Sequence, residues 1–185
     1  FKIQLAAGAP ALRFPLFGCF DDQGRLYVAE SSGKDLYAGL KALSRDCRVS
    51  RLEDADGDGR FEKAMVFQEG VTFPMGLAWH QGRLYLADPP NLVALTDTDG
   101  DGRADKREVI LSGFGHTDNG SLHGLTFGPD GLLYFTMGEP DGWKLPRGDG
   151  TFLEGVAGAL FRSRPDGSRA DVISRGFENL VEIEF

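Results

Sequence analysis

Two patterns in this chain combine residue types and spacings that could do chemistry. The first is acidic. Asp97, Asp99, Asp101 and Gly102, followed by Asp105 and Glu108, fit the spacing D-x-D-x-D-G-x5-E. Alternate carboxylates on a tight glycine turn can converge on a hard cation such as Ca2+, which takes about six to eight oxygens. An earlier turn carries Asp54, Asp56, Asp58 and Glu62, but Met65 stands at the closing position. Asp and Gly also favour tight turns without any metal, so a solvated turn is the alternative for both.

The second pattern pairs histidine with carboxylates and an amide. His116, Asp118, Asn119 and His123 stand close together, and Glu139 and Asp141 follow in the next long polar stretch. His116 or His123 could take a proton from a substrate hydroxyl. Asp118, Asn119, Glu139 and Asp141 could hold a ligand or cofactor beside it. A hydrogen-bonding role in packing is the alternative for each histidine. His80 falls in a tight turn, where a surface position is expected. No zinc-type Cys/His spacing, G-x-S-x-G elbow or phosphate-binding glycine loop is present.

These groups need elements to position them, and a repeat supplies those. Gly18–Val28 recurs as Gly76–Leu86 and, one residue longer, as Gly124–Phe135, each time as strand, glycine turn, strand. A second hairpin follows each copy, at 46–52 with 63–68, 91–96 with 106–111, and 158–163 with 170–174. Polar Asp/Gly turns join the strands of these second hairpins. A four-stranded meander repeated head to tail predicts an all-β fold of β-propeller blades. A β-sandwich has no reason to repeat the same turn chemistry in register. We expect blades at about 14–70, 71–113 and 114–176, with 177–185 opening a fourth. Closing a ring takes at least about four blades, so the native protein is expected to be longer. Open sheet edges in the 185-residue piece should favour association.

In such a meander the A–B and C–D turns leave one face, and the B–C and D–A connections leave the other. The long segments 30–45 and 138–156 lie on the second face, together with His116, Asp118, Asn119 and His123. Loops beyond about 12 residues in a compact domain tend to be functional, so this is the expected working face. The acidic turns fall on the opposite face, which gives them a structural role. Strand alternation bears on His123. If Leu125 and Phe127 pack between blades, regular pleating puts His123 on their side.

Composition narrows the classes. Net charge is −8, which argues against nucleic acid, and no apolar run reaches the roughly 18 residues of a membrane span. Cys19 and Cys47 both fall in the first blade, and a disulfide between them is left open.

Gly124–Glu139, Gly158–Gly167 and Arg175–Asn179 resemble the glucose/sorbosone dehydrogenase family of six-bladed propellers that use PQQ. More closely, Phe73-Pro-Met-Gly76, Ala87-Asp-Pro-Pro90, Asp97–Asp105 and Gly113-Phe-Gly115 resemble bacterial membrane-bound-dehydrogenase-like propellers, often joined to a c-type haem domain. The resemblance covers nearly the whole chain. It implies PQQ-dependent oxidation of a small-molecule carbohydrate or alcohol, with Ca2+ polarising the cofactor, in a periplasmic or secreted protein. The family's catalytic histidine falls on Gly120 here, so His116 and His123 are the candidates on either side. With no C-x-x-C-H motif, a haem domain would lie elsewhere in the full-length protein. The rival class is a non-catalytic, calcium-stabilised propeller that binds a glycan or partner protein through the same face. An enzyme predicts a deep axial pocket. A binding module predicts a shallow aromatic rim around Trp143 and Tyr37.

Overall fold

The computed structural model describes residues 3–117, 121–138, 141–147 and 149–185. Asp118, Asn119 and Glu139 lie outside the described residues. The first sheet holds β1 (Pro15–Phe20), β2 (Leu26–Glu30), β3 (Cys47–Glu53) and β4 (Lys63–Val71), hydrogen-bonded in that order. The second holds β5 (Leu77–His80), β6 (Arg83–Asp88), β7 (Asn91–Thr96) and β8 (Lys106–Ser112). The third holds β9 (Leu122–Phe127), β10 (Leu133–Met137), β13 (Gly158–Ser163) and β14 (Asp171–Phe177). Three consecutive antiparallel meanders are three propeller blades. Strand β1 packs on β5 and β5 on β9, which places the first strand of every blade innermost.

The blades are held by the side chains between them. Along β6, Leu84 and Leu86 face the first blade with Tyr27, Val49 and Phe67, whereas Tyr85 and Ala87 face the third with Leu125, Phe135 and Phe161. Both faces are covered, so β6 and β7 read as continuous apolar runs instead of alternating ones. Each fully buried Leu in such a layer contributes roughly 2 kcal/mol. Rings mark both interfaces. Trp79 stacks on Tyr27 at 5.2 Å and donates its indole N–H to Asp22 at 3.0 Å. His80, expected as a plain surface residue, stacks on Phe127 at 4.1 Å.

Several segments differ from expectation. The 30–45 stretch contains a short helix, α1 (Leu36–Lys41), capped by the Asp35 carboxylate on the N–H groups of Tyr37 and Ala38. The 138–156 stretch forms a hairpin, β11 (Trp143–Pro146) with β12 (Phe152–Gly155). Residues 178–185 pair in no ladder among the described residues, although they run where a fourth blade's inner strand would. Phe185 meets the Tyr134 ring at 4.7 Å, and Thr136 donates to the Val181 carbonyl at 3.5 Å. The Cys19–Cys47 disulfide is absent, and both thiols are free. Cys19 is level with Tyr27, which is level with Arg51, so Cys47 sits four residues, about 13 Å, further along β3. That is beyond the reach of a bridge. Burial pushes the Cys19 thiol up to about 12.

Candidate functional site

The B–C/D–A face is built on a device that recurs in all three blades. A buried carboxylate at the end of the second strand, or in the third blade four residues past it, accepts the backbone N–H of the segment leading into the first. Glu30 accepts from Arg13 N–H at 2.8 Å, Asp88 from Thr72 N–H at 2.8 Å, and Asp141 from Thr117 N–H at 3.0 Å. A second donor helps hold each charge. Arg48 donates to Glu30 at 2.9 Å, Arg107 to Asp88 at 2.9 Å, and the Thr117 hydroxyl to Asp141. Burial opposes ionisation of Glu30, but hydrogen bonds from Arg48, Ser50 and Arg13 more than offset it, and its carboxyl lies below the usual range. Asp141 is thus the third member of a set of backbone clasps. Sequence inspection placed it at a cofactor and passed over Glu30 and Asp88. The signal was available, because Ala29-Glu30 and Ala87-Asp88 hold the same place in the repeat.

His116 immediately precedes the third clasp. At that place the first blade has buried Leu12 and the second has buried Val71, whereas His116 is half-buried. Its segment is fixed from both sides. The Gly115 N–H donates to Gly142 at 2.7 Å, Lys144 N–H donates to Gly113 at 2.8 Å, and Ser121 donates its hydroxyl to Gly115 at 2.8 Å. Gly113 has φ +101° and abuts the Lys144 carbonyl, so a side chain there would force the hairpin away. Between segment and hairpin lies an open cleft of about 690 Å³, lined by Phe114, Gly115, Trp143, Lys144, Glu154 and Val156.

His123 behaves differently from the expectation of regular pleating. Leu125 and Phe127 do pack toward the second blade. However, Leu125 is level with Phe135 while His123 is level with the adjacent Thr136, because Gly124 is an extra residue, a β-bulge. Neighbours on β10 point to opposite sides, so His123 shares the side of Thr136, toward Val181, and not that of Leu125. Gly124 has φ +37°, and a Cβ on it would strike the Val181 carbonyl, which explains why glycine occupies the bulge. The His123 side chain is 1% exposed, against a half-buried His116. Trp143 is also buried, with Arg175 over its ring at 5.0 Å and its N–H donated to Ala157 at 3.1 Å. Of the two rings expected to form a rim, only Tyr37 is exposed.

On the opposite face the acidic turns share one scaffold. Asp54 accepts from Gly57 and Gly59 at 2.7 and 2.8 Å, and Asp97 accepts from Gly100 and Gly102 at 2.7 and 2.9 Å. In the first turn Asp54, Asp56, Asp58 and Glu62 bring oxygens within 4.8 Å of one another. In the second, Asp97, Asp99 and Asp105 do so. Asp101 falls outside that second set and accepts the Arg103 N–H at 2.8 Å. Glu108 also falls outside, on β8, held by Arg83 at 2.6 Å and Lys106 at 3.1 Å. Those contacts keep its carboxyl below the usual range. A strand residue cannot swing inward as the closing acid of a helix-flanked calcium loop does.

The comparisons agree with this architecture. No curated protein matches the sequence. Among solved structures, a chain of a nidogen/laminin complex is similar at 14% identity and TM-score 0.58, over 92% of this chain and 51% of that one. A regucalcin described as a calcium-binding protein, from Agrobacterium tumefaciens, is similar at 14% identity and TM-score 0.54, over 88% and 44%. A gluconolactonase from Xanthomonas campestris is similar at 17% identity and TM-score 0.52, over 89% and 59%. These likenesses show the propeller fold, and the chain spans about half the length of the structures it matches. A family model covers residues 1–184, and the chain accordingly belongs to that family, described as a domain of unknown function, DUF7133.

Proposed function

We propose that this chain forms part of a propeller that takes a carbohydrate or other polyhydroxylated small molecule on its B–C/D–A face, with His116 as the contacting group. The observation that carries this is the exchange at the residue just before each clasped N–H. Leu12 and Val71 are buried there in the first two blades, whereas the third presents a half-buried imidazole on a segment fixed by Asp141. An imidazole can donate to or accept from a sugar hydroxyl, or take its proton. The similarity to a gluconolactonase is compatible with such a ligand. His123 is a packing residue in this scheme.

The acidic turns fit calcium by their donor set, hard carboxylate oxygens clustered on the face away from the ligand. A calcium ion there would tie the turn together. Exposed sites of this kind suit a calcium-rich setting, so a periplasmic or secreted location belongs to the same proposal, and cell fractionation tests it. PQQ is not carried forward. Of the residues named for it, Asp118, Asn119 and Glu139 lie outside the described residues, and Asp141 is engaged by Thr117.

Calorimetry on the full-length protein with aldoses and aldonolactones tests the proposal. Binding should weaken about 10-fold or more in His116→Ala and remain unchanged in His80→Ala. Absence of binding by every sugar, or equal affinity in His116→Ala, would overturn it. Dye reduction on addition of PQQ and Ca2+ separately decides whether the chemistry is oxidative.

A further inference from the structure

We propose that residues 3–7 are the outermost strand of a further blade of the same propeller, one that packs before the first blade and draws its third strand from elsewhere in the protein. The case rests on a latch between consecutive blades. Strand β4 carries an extra residue, Phe67, between the partners of Val49 and Ser50. Strand β8 carries Ile110 likewise between the partners of Leu92 and Val93. In each outer strand a bulge thus interrupts the ladder at the same place.

The next blade's C–D turn packs onto that bulge. Ala104 N–H donates to the Phe67 carbonyl at 2.8 Å, and Gly102 lies against the Met65 side chain. Gly167, in the third blade's turn, lies against the Ile110 carbonyl. The first blade's turn makes the same contacts with residues 3–7. Phe61 N–H donates to the Ala6 carbonyl at 2.9 Å, and Gly59 lies against the Gln4 side chain, which itself donates to the Asp58 carbonyl at 3.0 Å. Phe61 and Gly59 hold the places of Ala104 and Gly102. Ala6 and Gln4 therefore stand where Phe67 and Met65 stand on β4.

The other end of the segment agrees independently. The spacing from Ala6 to Arg13, whose N–H is clasped by Glu30, equals that from Ile110 to Thr117, clasped by Asp141. The step from Phe67 to Thr72 is shorter, so this linker varies in length. Residues 3–13 thus carry both contacts of an outer strand and its link into the next blade. No ladder among the described residues includes residues 3–7, and Ile3 and Leu5 are 97% and 77% exposed. Apolar side chains alternating along an extended segment are those of a strand that lies against a partner.

Amide hydrogen exchange on the full-length protein tests this. Residues 3–7 should exchange at least about 100-fold more slowly than an unstructured peptide, as ladder amides do. Deleting them should lower the melting temperature and speed exchange in the Asp54–Glu62 turn. Coil-like exchange at residues 3–7 overturns the proposal even if the deletion variant fails to fold. Protection that rises with protein concentration also overturns it, because the partner strand would then belong to a second copy.

Discussion

The two acidic turns have the same sequence skeleton and the same backbone hydrogen bonds, yet their surroundings differ. In the first, four carboxylates converge, with Glu62 also accepting the Ala55 N–H at 3.1 Å. In the second, three converge, and Asp105 is engaged by the Thr98 hydroxyl at 2.6 Å. The second turn also has a resident cation, since the Arg51 guanidinium of the first blade reaches within 3.7 Å of Asp97. Its Gly102 sits against Met65 and Arg51. The spacing made the second turn the better calcium loop. Its closing acid, Glu108, lies on a strand, as does Met65 in the first turn, so that position distinguishes nothing. The lesson is that local spacing sets the shape of the turn, and the neighbouring blade sets its net charge.

The largest expected effect separates the turns by stability. Asp97→Ala removes the acceptor of two backbone N–H groups and leaves Arg51 facing no carboxylate there, costing about 2 kcal/mol in denaturant melts of calcium-free protein. Asp54→Ala should cost clearly less, since among the described residues no guanidinium is paired with Asp54 as Arg51 is with Asp97. Equal losses would mean that the packing of the second turn on the first blade adds nothing.

Calcium affinity comes next. The first turn should bind about 10-fold more tightly than the second, and Glu62→Gln should erase that advantage without touching the second site. Calorimetry on single-turn variants reads both, and a tighter second turn would reverse the comparison. A smaller effect tests the resident charge. Arg51→Gln should raise the affinity of the second turn about 3-fold at low salt, with the gain fading as ionic strength rises. An unchanged affinity would remove Arg51 from the account.

The smallest effect is with pH. The Gly59 N–H foremost, with that of Gly57, holds the Asp54 carboxyl below the usual carboxylate range. A lowered folded-state value adds stability that is present above the unfolded value and lost as pH falls through the lowered one. The Gly57 and Gly59 amide resonances should therefore hold through mildly acid pH and move only below the ordinary carboxylate range. Movement within that range would show that the backbone bonds do not favour the charge.

What the sequence disclosed depended on whether the cause was local. The glycine-turn repeat from Gly18, Gly76 and Gly124 discloses the blades, because hairpin chemistry is set by neighbouring residues. The acidic turns were legible for the same reason. The side taken by His123 was not, since one inserted residue at Gly124 reverses the pleat and only the pairing with β10 reveals it. Asp141 read as a ligand group because the Thr117 N–H that it accepts is a backbone atom 24 residues away along the chain. The role of residues 3–7 was hidden similarly, as it is defined by contacts with Phe61 and Gly59 across a blade boundary.

The two tryptophans give the molecule a built-in optical readout. Trp79 lies at the junction of the first two blades, stacked on Tyr27 with its indole N–H on Asp22, and Trp143 lies buried under Arg175 in the hairpin of the third. The first emits from a half-exposed, hydrogen-bonded site and the second from an enclosed one beside a cation, so their spectra should differ. Replacing either by Phe leaves a single emitter. Trp79 then follows separation of the first blade from the second, and Trp143 follows detachment of the β11–β12 hairpin. The order in which the two signals are lost on heating shows whether the propeller opens at its seams or sheds the β11–β12 hairpin first.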